Sequence, residues 1–231
     1  LREAGFLVKL SHPNIIKLDG FVEDISKDMI WLVFPWEEHG SLRDFVASAD
    51  WEIPERIWLI SDVAEGVEYL HSQEPPISHG DLKSVNVLVS SECRAIITDF
   101  GSARRLTAKA TKTMTLTGDK YTLRWAAPEL LNGDPPGLWS DIWALGWVGY
   151  EVMMNSIPFE GVGDGMVVMS VIQGDVPSIS DDTRMLLIQA LCSLLAQCWN
   201  LDPTKRPTAK DCRTAIDWMA SHTGLRSIAG N

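Results

Sequence analysis

Positive charge is scarce in this sequence, whose formal net charge is −11 over 231 residues. It contains no run of lysine and arginine with interleaved aromatic side chains. Contact with a phosphate backbone requires a local excess of positive charge. The sequence therefore predicts no nucleic-acid partner.

Long apolar runs are also missing. No stretch approaches the roughly 20 apolar residues that a membrane-spanning helix needs. Tyr150 and Glu151 interrupt the best candidate, residues 142–154. We expect no membrane span in this segment, although 45% apolar content is enough for a sizeable core.

The cysteines lack the spacing of a metal site or a redox pair. Cys93, Cys192, Cys198 and Cys212 form no CxxC motif and have no histidine at zinc-binding spacing. We expect thiols rather than disulfides, which is typical of a reducing compartment and favours a cytoplasmic location. The apolar run 185–199 predicts a helix buried on most sides.

A phosphate-binding glycine loop is the last notable absence. The one glycine cluster, residues 161–165, has Met166 where a third spaced glycine would be needed. It also follows no predicted strand. We interpret it as an ordinary loop.

The most informative segment that is present reads HGDLKSVNVLVSSECRAIITDFG, residues 79–101. Val87–Val89 and the returning run 95–97 predict two antiparallel strands joined by a turn. Strands in such a pair lie roughly 5 Å apart, which would place Asn86 beside Asp99. Mg²⁺ prefers oxygen ligands, and one amide and one carboxylate completed by triphosphate oxygens can hold it.

Two further side chains in the same loop suit phosphoryl transfer, which depends on positioning and on neutralising charge. Asp81 can orient an attacking hydroxyl, and Lys83 can neutralise the transferring group. A single polar loop residue usually only satisfies backbone groups. The four together predict a phosphoryl-transfer site.

The segment resembles the catalytic loop HRDLKxxN and the Asp-Phe-Gly motif of eukaryotic protein kinases. The later runs WAAPE, SDIWALGWVGYEVM and CWNLDPTKRPT resemble the family's Ala-Pro-Glu motif, buried central helix and Arg-Pro motif. The resemblance implies that Glu129 pairs with Arg206 and that Asp141 holds the catalytic-loop backbone. Small-molecule kinases of similar fold generally lack these three motifs, so a protein substrate is favoured, with ATP and Mg²⁺ as cofactors.

The resemblance implies an α+β, protein-kinase-like two-lobed fold. Residues 1–34 would be a partial small lobe with one helix and two strands, residues 35–40 the hinge, and residues 41–231 a mainly helical large lobe. Gly80 stands where most of the family carries Arg, which is typical of a non-RD kinase. Lys83 favours the serine/threonine or tyrosine-kinase-like (TKL) groups.

Nucleotide-binding residues follow from the same resemblance. Glu3 matches the small-lobe helix Glu, and Phe34 falls at the gatekeeper position. Pro35 and Glu37 would hold adenine through backbone groups, with Leu88 beneath the ring. The family's regulatory column would consist of Leu7, Leu18, His79 and Phe100.

No glycine-rich loop and no VAIK-like strand lysine precede Glu3, and the chain begins with Leu1 rather than Met. We expect a kinase domain cut before its small-lobe helix, with very slow transfer by these residues alone. A pseudokinase or scaffold module is therefore an open alternative, and a small-molecule kinase a less favoured one. Missing strands would uncover apolar side chains, namely Leu7, Ile15, Ile16 and Trp31.

The segment between Asp99 and Glu129 is locally basic, with six basic and three acidic side chains. This suggests acidic residues near the target hydroxyl. Five threonines within it could accept phosphate: Thr107, Thr111, Thr113, Thr115 and Thr117. Because Gly80 removes the arginine that usually pairs with such a phosphate, we expect that phosphorylation here is not an obligatory switch.

Helical spacing is clearest after Pro54. The apolar positions that recur there every three or four residues are Ile57, Ile60, Val63, Ala64, Val67 and Leu70. We expect Ser140 to cap the central helix and Thr208 with Asp211 to form a capping box. The tryptophans assigned to packing are Trp143, Trp147 and Trp199.

Overall fold

A computed structural model describes residues 2–27, 29–106, 122–176 and 186–222. In chain order these residues form α1 (Arg2–Leu7), β1 (Gly20–Asp24), β2 (Met29–Val33), α2 (Leu42–Ala47), α3 (Ile53–His71), β3 (Ile77–Ser78), β4 (Val87–Val89), β5 (Ala95–Ile97), β6 (Arg104–Arg105), α4 (Pro128–Leu131), α5 (Leu138–Met154), α6 (Asp164–Gln173), α7 (Leu186–Cys198) and α8 (Ala209–His222). The strands pair antiparallel as β1 with β2, β3 with β6 and β4 with β5. The prediction of a mixed fold with a mainly helical second half is confirmed.

Helix α5 lies at the centre of the core. It packs against α3 and α7, and its Trp143 and Trp147 are fully buried. The ring of Trp199 lies 4.6 Å from that of Trp147. Gly146 faces the same indole, which occupies the space that a side chain at this position would need. The predicted packing role of the three tryptophans is confirmed.

Helix α3 starts as predicted, with Pro54 in its first turn and a capping box between Glu52 and Glu55. The six predicted apolar positions are all buried. A buried carboxylate on this helix, Asp62, makes a bidentate ion pair with Arg94 and accepts a hydrogen bond from Ala95 N at 2.8 Å. Helix α3 therefore fixes the start of strand β5.

The predicted N-terminal cap is confirmed for α8 and wrong for α5. Thr208 and Asp211 bond each other's backbone N–H at 3.0 and 3.2 Å, as a capping box does. Ser140 is not the N-cap of α5. That position is Gly137, and the Ser140 hydroxyl accepts a hydrogen bond from the Gly137 N–H from within the first turn.

Helix α7 is buried on one face rather than on most sides. Leu191, Leu194 and Leu195 are buried, whereas Ser193 and Gln197 are exposed. The polar residues recur on the outer side of the helix, so the apolar average of the run concealed an amphipathic pattern.

Among the described residues no disulfide forms, as predicted, and the buried Cys198 and Cys212 are thiols with sulfur atoms 3.8 Å apart. The hydrogen bond to Cys212 and burial both raise the pKa of the Cys198 thiol. No helix in the described ranges is long and apolar enough to cross a membrane.

Most of the apolar side chains that were expected to be uncovered are in fact buried. Leu7, Ile15 and Ile16 are at most 4% exposed, because α1 packs against the turn 100–102 and Ile15 pairs with Ile97 of β5. Ile16 N donates to the Ile97 carbonyl at 2.9 Å. Trp31 is 43% exposed, as expected.

The predicted Glu129–Arg206 pair forms in the core. Two guanidinium nitrogens of Arg206 donate to the two carboxylate oxygens of Glu129 at 2.7 and 2.9 Å. The guanidinium also donates to the Trp139 carbonyl and lies 5.0 Å from the centre of the Trp143 ring. The Arg206 side chain has no exposed surface. The charge therefore depends on Glu129 for its compensation.

We predict that Glu129→Ala lowers the free energy of unfolding by about 3 kcal/mol, because it leaves a buried guanidinium without its carboxylate. The matched control is Lys205→Ala, one residue from Arg206, whose ion pair with Asp202 is largely exposed. It should cost about 0.5 kcal/mol or less. Urea unfolding measures both, and equal losses would contradict the prediction.

Candidate active site

The β4–β5 hairpin brings the two candidate metal ligands to one end. Its register pairs Val87 with Ile97, and Thr98 N donates to the Asn86 carbonyl at 2.9 Å. Asn86 and Asp99 therefore lie at the same end of the hairpin, with Asp99 one residue beyond the one hydrogen-bonded to Asn86. The far end turns through a hydrogen bond from Ser90 N to the Arg94 carbonyl at 3.0 Å.

Asp81 lies at the centre of a cluster of polar side chains. Lys83 Nζ is 2.7 Å from its Oδ2, and Asn86 Nδ2 donates to its carbonyl at 2.9 Å and its Oδ2 at 3.1 Å. The Thr122 hydroxyl donates to its Oδ1 at 2.8 Å and accepts from Lys83 Nζ at 2.6 Å. The structure thus places both Lys83 and Asn86 in direct contact with Asp81. Lys83 and Asp81 form an ion pair that is mostly shielded from solvent.

The backbone before Asp81 is held by a fully buried carboxylate on α5. Asp141 accepts hydrogen bonds from His79 N and Gly80 N, both at 2.9 Å, and from His71 Nε2 at 3.0 Å. Burial alone would raise the pKa of the Asp141 carboxyl. The hydrogen bonds from His71 and Gly80 outweigh it and hold that pKa below its ordinary value. Asp141 therefore holds the loop backbone, as the resemblance implied.

The segment after β5 turns sharply at Asp99, whose φ of 60° is left-handed. Its carboxylate accepts from Gly101 N at 3.3 Å. The next residue, Phe100, is buried with its ring 5.2 Å from the ring of His79, and its N–H donates to Glu3 at 3.3 Å. Glu3 thus contacts the turn itself. His79 is a packed core residue, as predicted, and bonds the Thr98 carbonyl at 2.9 Å.

The segment that carries the candidate adenine-binding residues Pro35 and Glu37 meets β4 at Gly40 and Ser41. The segment after β2 turns back through a hydrogen bond from Gly40 N to the Glu37 carbonyl at 3.2 Å. The Gly40 carbonyl then accepts from Val89 N at 2.9 Å, which brings Leu88 next to this segment. Leu88 is half-buried against the core. Pro35 lies at the start of the same segment, directly after Phe34, which also packs on the core.

The donor set at the hairpin end fits Mg²⁺. The Asn86 amide nitrogen donates to Asp81, so its Oδ1 is the atom that can ligate a cation. The Asp99 carboxylate is exposed at the same end. One amide oxygen and one carboxylate are typical of sites where Mg²⁺ keeps waters and takes further oxygens from phosphates.

Comparison with known proteins gives the family. The family described as protein tyrosine and serine/threonine kinase matches residues 1–216. The chain belongs to this kinase family. It is 33% identical over 213 residues to R826 of Acanthamoeba polyphaga mimivirus, which is named as a serine/threonine-protein kinase/receptor. Two Dictyostelium discoideum proteins are also similar, the serine/threonine-protein kinase drkC at 31% and the kinase and exchange factor for Rac B at 30%.

These alignments cover nearly all of this kinase chain but little of the relatives. They span 90%, 94% and 97% of the chain against 12% of R826, 29% of drkC and 20% of the exchange factor. The matched region is thus the kinase region of longer proteins. The family assignment and the relatives' names do not support the pseudokinase alternative, nor a small-molecule kinase.

One residue of the kinase site was missed from the sequence. Thr122 lies 41 residues after Asp81, and a single threonine in a threonine-rich stretch carries no local signal. The one sequence feature that indicated a role for Thr122 was its position shortly before WAAPE. The five candidate phosphate acceptors, residues 107–117, lie outside the described residues.

Gly80, which stands where most of the family carries Arg, is constrained by its backbone and by a close neighbour. Gly80 has a left-handed φ of +81°, and a Cβ there would lie 2.9 Å from the Ser102 carbonyl oxygen. A side chain at this position therefore meets both backbone strain and a fixed backbone atom.

We predict that Gly80→Ala destabilises the kinase more than Gly133→Ala. Gly133 has a similar φ of +90° but open space around it. Both changes incur the left-handed cost of roughly 1–2 kcal/mol, and the Ser102 contact should add roughly 1–3 kcal/mol at Gly80. Urea unfolding measures the difference, and equal values would show that Ser102 moves aside without cost.

Proposed function

We propose that the chain is the catalytic domain of a TKL-type serine/threonine protein kinase that transfers the γ-phosphoryl group of ATP to a protein hydroxyl in signal transduction. The observation that carries the proposal is the Asp81 cluster, in which one carboxylate contacts Lys83, Asn86 and Thr122 at hydrogen-bond distance. Three motifs of the protein-kinase type and the names of the relatives support a protein substrate.

Each side chain of the cluster has a role in this reaction. Asp81 accepts the hydroxyl proton of the substrate and orients its oxygen for attack. Lys83 neutralises charge on the transferring phosphoryl group, and Thr122 fixes the relative position of Asp81 and Lys83 through its two hydrogen bonds. Bound Mg-ATP supplies the phosphoryl group.

The remaining candidate residues would hold the nucleotide and its cation. Asn86 and Asp99 would ligate Mg²⁺ at the hairpin end. The backbone groups of Pro35 and Glu37 would hold adenine, with Leu88 packed beneath it. Glu3 would act on the same site through the Phe100 turn, since its carboxylate accepts from Phe100 N.

The proposal also covers the lobe boundaries, the target residue type and the cellular location. We propose residues 1–34 as a partial small lobe, 35–40 as the hinge and 41–231 as the large lobe. Lys83 favours serine or threonine over tyrosine, and the thiol cysteines are typical of a cytoplasmic protein. The locally basic segment between Asp99 and Glu129, which we name the activation segment, suggests acidic residues near the target hydroxyl.

We predict that Asp81→Asn in the full-length protein lowers kcat about 10²–10⁴-fold, because the amide cannot accept the hydroxyl proton. ATP affinity should stay nearly unchanged. The measurement is phosphate transfer to a peptide library, with phosphoamino-acid analysis of the product. The exposed Asp134→Asn is the matched control. An unchanged kcat for Asp81→Asn would contradict the role of Asp81, and phosphotyrosine as the main product would contradict the serine/threonine assignment.

We also predict that the full-length protein with all five threonines of residues 107–117 changed to Ala keeps most of its turnover. Gly80 offers no side chain to pair with a phosphate in this segment. Turnover is measured beside thermal unfolding, which should not change. Near-complete loss of turnover in a folded variant would show that phosphorylation is obligatory.

A further inference from the structure

The side chain of Arg124 joins the candidate active site to the loop between α5 and α6. Arg124 lies two residues after Thr122, in the short turn that Thr122 begins. Its Nη1 donates to the carbonyls of Pro158 and Phe159 at 3.2 and 2.5 Å, and its Nη2 donates to the Val162 carbonyl at 2.6 Å. One guanidinium thus binds three backbone carbonyls that are 34 to 38 residues away in sequence.

The loop before α6 follows a path that residues other than glycine rarely take. Phe159 has a left-handed φ of 53°, and Asn155 has one of 49°. The Phe159 ring is buried, 5.1 Å from the ring of Trp147 on α5. The Phe159 carbonyl accepts from Val162 N at 3.0 Å as well as from Arg124. With this backbone, Phe159 packs its ring into the core and turns its carbonyl towards the guanidinium.

The contact depends on the shape of the guanidinium more than on its charge. Its carbonyl acceptors are neutral. Asp164, the acidic partner within the described residues, is 3.3 Å away and its side chain is 75% exposed, so this ion pair adds little. Arginine presents five N–H donors in a rigid planar fork, whereas lysine presents a compact charge with three donors. Acceptors bound by both Nη1 and Nη2 therefore fit arginine and not lysine.

Attraction of acidic substrate residues is the alternative role for Arg124, which is one of the six basic side chains of the activation segment. Its side chain is only 20% exposed, however, and both terminal nitrogens of the guanidinium already donate to backbone carbonyls. Carbonyl groups in a loop need such donors when water is kept away from them. The contacts of this arginine therefore lie inside the molecule.

The contacts lead from the core to the Asp81 cluster. Phe159 fixes the loop to α5, and Arg124 binds that loop. Trp125 N donates to the Thr122 carbonyl at 2.9 Å, which closes the turn around Arg124. The Thr122 hydroxyl donates to Asp81. A shift of the Arg124 backbone would therefore move a member of the cluster.

We propose that Arg124 is a positioning residue that binds the turn carrying Thr122 to the loop before α6 and so holds Thr122 against the Asp81–Lys83 pair. Gly80 offers no side chain that could bind a phosphate on the activation segment. Arg124 fixes the end of this segment through neutral backbone acceptors, which need no modification. The kinetic consequence rests on the proposed function, whereas the structural consequence does not.

The structural test is hydrogen exchange of the full-length protein in peptides that cover 122–127 and 156–163. Arg124→Lys keeps the charge but loses the fork, and it should lower protection severalfold in both segments. Arg124→Gln removes the charge as well and should have the same effect. The matched controls are Asp164→Asn, which removes only the exposed ion pair, and Arg43→Lys at an exposed site on α2. Both should leave the two segments unchanged.

The kinetic test measures peptide phosphorylation by the same variants. Arg124→Lys should lower kcat about tenfold or more, because displacement of Thr122 misaligns Asp81, while KM for ATP changes less than about twofold. Thr122→Val removes the hydroxyl through which Arg124 acts. Adding Arg124→Lys to that variant should therefore cost little more, with the double variant close to Thr122→Val alone.

Three results would overturn the proposal. One is unchanged protection in 122–127 for Arg124→Lys, or a loss of equal size in all peptides, which would indicate a general structural role. The second is multiplicative kinetic effects in the double variant. The third is full activity of Arg124→Lys together with a raised KM for acidic peptides in Arg124→Gln, which would show that Arg124 binds acidic substrate residues.

Two safeguards keep the test decisive. If Arg124→Gln does not fold, the conservative Arg124→Lys decides alone, with thermal unfolding as the check that it is folded. If the unaltered protein shows no phosphate transfer, the proposed function fails, and the exchange measurement still decides whether Arg124 holds the two segments together.

Discussion

The fold of the candidate site depends on one interaction, the acceptance of two backbone N–H groups by a buried carboxylate. Asp141 takes hydrogen bonds from consecutive residues, His79 and Gly80, and from the His71 side chain at the end of α3. The loop therefore has a fixed path from α3 to Asp81. A polar loop can cross the core in this way only because its N–H groups are satisfied there.

Helix α5 can provide this carboxylate because it is itself held on every side by large apolar groups. Trp143 and Trp147 fill the space towards α3 and α7, and Gly146 lets the Trp199 indole approach the helix backbone. Arg206 stacks on Trp143 and binds Glu129, which connects α5 to the WAAPE motif. The rigid element and the residues that it orients are therefore parts of one core.

Sequence reasoning succeeded where the information was local and failed where it was not. The hairpin strands and the start of α3 follow from periodicity, turn residues and proline. Thr122 could not be found, because its contact with Asp81 joins residues 41 apart. The burial of Leu7 and Ile16 was missed for the same reason: their cover comes from residues near 97, not from neighbouring strands in sequence. The Ser140 hydroxyl accepts the Gly137 N–H from within the first turn of α5. Residue type alone does not show which of several neighbouring positions is the N-cap, because the start of a helix is uncertain by one or two residues.

The two halves of the catalytic loop differ in what holds them. Before Asp81 the loop is anchored to α5 through Asp141 and to the end of β5 through the bond between His79 and the Thr98 carbonyl. Gly80 adopts a left-handed backbone that a Cβ would oppose. Lys83 itself is anchored to Thr122, which belongs to the end of the activation segment. The anchors of the first half thus lie outside residues 122–125, whereas the geometry of Asp81 and Lys83 also depends on where Thr122 lies. A chain without an arginine before Asp81 still has a physical connection between its activation segment and its catalytic loop, and that connection passes through the hydroxyl of Thr122.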